Sequence, residues 1–154
     1  MGSAPTQSTQ RQLTITRILD APRELVFKAW TDPQHLVNWW GPRGSFTPQC
    51  EMDARNGGSY RFLMRAASGR EVVWSGVCRE LVEPEKLVLT CTIRNLDGTI
   101  ISAETVLTLT LEDLQGKTRL TLHQGVFDSD ENCAAHGRGW RDTLDRIGEH
   151  LARL

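Results

Sequence analysis

The sequence predicts an α+β domain, an antiparallel sheet closed by one long C-terminal helix, with two short helices after the first strand. Three observations carry that reading. Much of the chain alternates apolar and polar residues in runs joined by short turns, the pattern of antiparallel strands with one buried face. Near the end, Trp140, Leu144, Ile147 and Leu151 step by four, three and four, which lays one apolar stripe along a helix. After the first strand stands Trp39-Trp40-Gly41-Pro42, two adjacent indoles before a chain reversal. Such large apolar surfaces close a core or line the mouth of a cavity.

In chain order, the first strand carries Leu13, Ile15 and Ile18-Leu19 among threonines and ends at Asp20. Pro22 suits a first helical position, and Leu25, Val26, Ala29 and Trp30 share a helix face. Asp32-Pro33 repeats the start signal for a second short helix carrying Leu36, Val37, Trp39 and Trp40, which Gly41-Pro42 ends. Residues 46–52 read as a strand and Gly57-Gly58 as a turn or bulge, after which Tyr60, Phe62 and Met64 alternate with Arg61, Leu63 and Arg65. Strands over residues 74–82 and 87–93 flank the break at Glu83-Pro84-Glu85. Asp97-Gly98 and Gln115-Gly116 supply hairpin turns around strands at 105–112 and 118–126. Asp128, Asp130 and Glu131 precede the last helix, where negative charge meets the positive end of its dipole. Asp142, Arg146, Glu149 and Arg153 form that helix's solvated side. It is the one element long enough to cover the apolar face of the sheet.

Charge and cysteine usage exclude whole classes. Lys and Arg number 18 against 19 Asp and Glu, a net charge of −1 without a basic block, so nucleic acid is not an expected partner. No apolar run is long enough to span a bilayer. Residues 1–12 are polar and read as a disordered tail or expression scar ahead of a single domain over 13–154, although Met1-Gly2 with Thr6 matches the formal myristoylation pattern. Cys50, Cys78, Cys91 and Cys133 are scattered, with no metal-ligand spacing. They read as reduced, small apolar residues of a cytoplasmic protein, and neither a metal nor a cofactor is expected.

Asp20-Ala21-Pro22 leading into Val26-Phe27-Lys28-Ala29-Trp30, then Trp39-Trp40-Gly41-Pro42, Gly57-Gly58, Glu83-Pro84-Glu85-Lys86-Leu87, Gly116-Lys117-Thr118 and Gly139-Trp140, together resemble the SRPBCC (START-like, helix-grip) superfamily. Within it the order of motifs is similar to the group named after the C-terminal domain of the heat-shock-ninety ATPase activator, over residues 13–154. The resemblance implies a helix-grip (START-like, Bet-v-like) fold, a curved sheet wrapped around the C-terminal helix with a cavity that in many relatives receives an apolar ligand. Its members include co-chaperone domains tied to the stress response, lipid carriers and aromatic polyketide cyclases, so the fold alone does not choose a chemistry. The eukaryotic activator also has a separate N-terminal domain that contacts the chaperone, where this chain has its short polar tail.

A period of two sends Tyr60, Phe62 and Met64 inward, and with them Leu89, Cys91 and Ile93, then Leu107, Leu109 and Leu111, then Leu120, Leu122 and Gln124. Trp140 and His136 from the closing helix, with Trp39 and Trp40 at the opening, complete an apolar basin. The expected ligand-binding set is therefore Trp39, Trp40, Tyr60, Phe62, Met64, Leu89, Cys91, Leu109, Leu122, Gln124, His136 and Trp140. His136 is the acid–base candidate because it lies on the stripe that meets the sheet, although no orienting carboxylate or nucleophile accompanies it. His123 is out of phase with the leucines beside it and points to the outer face, and Glu104 reads as an exposed strand carboxylate. The function expected is binding of a hydrophobic or aromatic small molecule by a monomer or homodimer. The alternatives are a co-chaperone-like activator acting on a chaperone through its surface, and a cyclase- or hydrolase-like enzyme acting on a polyketide-like substrate.

Overall fold

Residues 11–154 are described by a computed structural model, and the expectations for residues 1–10, the myristoylation pattern included, lie outside them. The elements run β1 (Gln12–Leu19), α1 (Arg23–Thr31), α2 (Pro33–Trp39), β2 (Phe46–Met52), β3 (Ser59–Arg65), β4 (Glu71–Val82), β5 (Lys86–Asn95), β6 (Ile100–Leu114), β7 (Lys117–Gly125) and α3 (Asp130–Ala152). β1 begins one residue inside the expected tail, and β4 and β6 start earlier than the apolar alternation suggested. Pairing there continues up to the turns at Ser68-Gly69 and Asp97-Gly98.

The strands form one curved antiparallel sheet in the order β1-β7-β6-β5-β4-β3-β2. β2 to β7 are consecutive neighbours, and β1 lies beyond β7, so α1 and α2 carry the chain from one edge of the sheet to the other. β7 shows why one face is core: Thr118, Leu120, Leu122 and Gln124 are buried, and Arg119, Thr121 and His123 between them are not. His123 lies on the outer face as expected, its Nε2 2.9 Å from Gln12 Oε1, and Glu104 is exposed.

The helices start as their sequences dictate. Asp32 caps α2, accepting from the Gln34 N–H at 2.9 Å, with Pro33 at the first position. Ser129 caps α3, accepting from the Asn132 N–H at 3.0 Å, while Asp130 and Glu131 occupy the first turn, where the helix dipole favours them. Pro22 stands just outside α1 rather than in it. The stripe His136, Trp140, Leu144, Ile147 and Leu151 is buried along its whole length. α3 is not the sole cover of the sheet, however. α1 packs against β6 and β7 and places Val26, Phe27, Ala29 and Trp30 in the same core. Among the described residues no helix is long and apolar enough to cross a membrane.

Candidate functional site

The first half of α3 carries small and polar residues where the second half carries leucine and isoleucine, and space opens beneath it. Asn132, Ala135, His136, Gly139, Trp140 and Thr143 form one wall of a cavity of about 210 Å³. Met64 of β3, Trp74 of β4 and Ile93 of β5 form the floor, and Trp40, Gly41 and Pro42 after α2 close the side. The lining is overwhelmingly apolar and contains no charged side chain.

Aromatic rings set the shape. Trp40 meets Trp74 and Trp140 edge to face, at 5.2 and 5.4 Å between centroids and interplanar angles of 90° and 89°. Trp40 also meets Phe62 at 4.9 Å, and Trp30 stacks on Trp140 at 5.8 Å. The buried indole N–H groups of Trp30, Trp40 and Trp74 have no hydrogen-bond acceptor among the described residues. Trp140 is held differently. Its Nε1–H donates to Gln124 Oε1 at 2.7 Å, Gln124 Nε2 donates to Thr105 Oγ1 at 2.9 Å, and the Thr105 hydroxyl donates to the Cys91 carbonyl at 3.4 Å. A buried polar ladder thus anchors the ring that faces the cavity.

The side wall is held chiefly by Arg146. Arg146 Nη1 donates to the carbonyls of Trp40, Gly41, Pro42 and Ser45 at 2.8 to 3.4 Å, and Nη2 to that of Asn38 at 3.4 Å. Burial, and then Arg43, lower the pKa of Arg146. Arg43 adds a second tie through its side chain to Glu149 and its backbone N–H to Asp142 at 3.1 Å. Gly41 turns with φ of 98°, and a Cβ there would collide with Ser45 Oγ and Met64 Sδ, so glycine is required at this corner.

One end of the cavity is polar. His136 is 9% exposed, packed between Phe127 at 4.7 Å and Trp74 at 5.7 Å, and its Nε2 lies 3.4 Å from Ser102 Oγ. Asn132 Nδ2 donates to Ser102 Oγ at 2.9 Å and to Asp128 Oδ1 at 3.2 Å. Burial lowers the pKa of His136 to about 4, against an opposing pull from Asp128, so the ring is neutral at physiological pH. The thiols are not activated. Burial pushes Cys91 and Cys50 up to about 12 and raises Cys78 and Cys133 as well. Among the described residues no group of three or more His, Cys, Asp or Glu could hold a metal ion.

Of the expected lining residues, Trp40, Met64, His136 and Trp140 meet at the cavity. Trp39, Tyr60, Phe62, Leu89, Cys91, Leu109, Leu122 and Gln124 do not line it, and all are buried in the interior around it. Trp39 is fully buried, donating from Nε1 to the Ala29 carbonyl at 3.0 Å. α2 ends at Trp39 and Trp40 is its extended C-cap, so the two rings, still in contact at 5.7 Å between centroids, take different places. Leu109 and Leu122 lie on the strands against which α1 packs, where no open space remains.

Sequence reasoning missed Trp74, Ser102 and Arg146. Trp74 lies directly across from Phe62 and Ile93, so extending the alternation of β3 to its neighbour would have found it. Ser102 had no such signal. Alternation from Leu107 would send Ala103 inward, but a bulge lets Thr105 pair with Cys91 and Ser102 with Ile93, which buries both. Arg146 sits on the polar side of the stripe, and only the fold brings five carbonyls within its reach.

The family model described as activator of Hsp90 ATPase homolog 1-like protein matches residues 20–152. Solved structures agree. The AHSA1 protein of Silicibacter pomeroyi is 26% identical, with 92% of this chain and 97% of that one covered and a TM-score of 0.82. A protein of Chromobacterium violaceum is 30% identical, covering 92% and 96%, at a TM-score of 0.74. CalU16 of Micromonospora echinospora is 24% identical, covering 91% and 75%, at 0.66, a likeness of fold. No curated protein matches the sequence.

Proposed function

The chain belongs to the activator of Hsp90 ATPase homolog 1-like family, within the SRPBCC superfamily, and on that premise we propose that it binds a small hydrophobic or aromatic molecule between its sheet and α3. The observation that carries the reading is the cavity itself, about 210 Å³ walled by Trp40, Trp74 and Trp140 with no charged lining residue. Gly139 adds support. A glycine inside a helix costs about 1 kcal/mol relative to alanine, yet here nothing lies within 4 Å of where its Cβ would be. The helix gives up stability at the position where a side chain would enter the space.

That position supplies the test. Ligand-observed NMR with toluene and naphthalene is expected to show saturable, mutually competitive binding. Gly139→Leu, whose Cβ meets nothing within 4 Å, is expected to abolish binding while unfolding at no lower temperature than the parent protein. Absence of binding in the parent, or undiminished binding in Gly139→Leu, would overturn the proposal.

A further inference from the structure

The cavity has a polar end whose hydrogen-bonding sense can be read. Both protons of the Asn132 amide are committed, one to Ser102 Oγ and one to Asp128 Oδ1. The Ser102 hydroxyl accepts from Asn132, and among the described residues His136 Nε2, 3.4 Å away, is the acceptor within reach of its own buried proton, which leaves the imidazole proton on Nδ1. Nδ1 makes no hydrogen bond with any described residue. That nitrogen is not sealed from solvent, and His136 lines the cavity.

Charge narrows the choice further. The lining contains no cation, and the nearby guanidinium of Arg146 is turned onto the carbonyls of residues 38–45. Burial keeps His136 neutral, and Asp128 lies on its far side through Ser102 and Asn132, so an anionic group entering here finds no countercharge and a like charge nearby. Size sets the last limit. A cavity of about 150 Å³ takes benzene, so about 210 Å³ suits one substituted ring or two fused rings.

We propose that the ligand is a neutral aromatic molecule of one or two rings that presents an acceptor oxygen to the Nδ1–H of His136. This rests on the cavity-binding reading above and adds the class of ligand to it. Isothermal titration calorimetry near neutral pH with ethylbenzene, acetophenone and benzoate, three ligands of similar size, tests it. Acetophenone is expected to bind at least as tightly as ethylbenzene, although transfer from water favours the hydrocarbon, and benzoate at least tenfold more weakly than acetophenone. His136→Phe is expected to lower the ratio of acetophenone to ethylbenzene affinity about two- to tenfold, the worth of one hydrogen bond. Tighter binding of ethylbenzene than of acetophenone, or of benzoate than of either, would overturn the ligand class while leaving cavity binding intact. Failure of both neutral ligands would remove the cavity reading and this proposal together. Should His136→Phe not fold, the three-ligand comparison in the parent protein decides alone.

Discussion

The two halves of α3 present one continuous buried stripe and yet do different work. From Leu144 to Leu151 the stripe is aliphatic and fully packed, with Leu144 and Ile147 at 1% and 0% exposure. From Asn132 to Thr143 the same periodicity carries a histidine, a glycine and an indole, and the helix roofs a cavity instead of filling it. The contrast shows that an amphipathic stripe reports which face is buried, whereas residue size along it decides between core and site.

Breaking the packed half should give the largest effect. Leu144→Ala is expected to cost about 2–5 kcal/mol in denaturant unfolding, the range for a large core residue replaced where the surroundings cannot collapse. Folded protein at low temperature should keep its affinity for naphthalene. An equal loss of stability and affinity would show that the two halves are one unit.

The open half should fail through charge rather than volume. Because folding lowers the His136 pKa from 6.5 to about 4, the unfolded chain takes up a proton first as the medium is acidified. Stability is therefore undiminished above about pH 6.5, falls as the pH drops towards 4, and then levels off. Each tenfold change in proton affinity corresponds to about 1.4 kcal/mol, so the loss amounts to at most roughly 3–4 kcal/mol. Urea titrations across that window should show the slope in the parent and a flatter profile in His136→Gln. An unchanged slope would place the acid sensitivity elsewhere, with His150 the next group to test, since burial, His35 and Arg153 lower its pKa as well.

The smallest effect has the opposite sign. Gly139→Ala is expected to raise stability by up to about 1 kcal/mol, read as a higher midpoint in urea at unchanged slope, because alanine is the better helix former and its methyl meets open space. A destabilised variant would mean that the helix needs glycine there for its own packing.

These contrasts bear on what the sequence disclosed. The α3 stripe, the hairpin turns and the inward leucines of β6 and β7 were legible because each follows from a local period. Trp140 and His136 were legible as residues facing the cavity for the same reason. Trp39 and Trp40 were legible as important, but their separation into core and cavity depends on where α2 ends, a matter of one residue. Leu109 and Leu122 were read as lining because a period of two gives a face but not what covers it, and α1 supplies the cover. Ser102 was hidden by a bulge, and Arg146 by a reach across the fold to a loop more than a hundred residues away.

The position of β1 has a consequence for how the molecule is made. Gln12 pairs with Gly125 and Leu19 with Thr118, so the first strand has no partner until the last strand has been synthesised, and the helix that seals the core follows later still. During translation the strands from β2 to β6 can pair in sequence, each with the one before it, and α2 can pack on β2, while β1 waits for β7 beside an apolar sheet face without its roof. The nascent chain thus passes through a stage rich in uncovered leucine and tryptophan, and a ribosome stalled before residue 130 would hold it there.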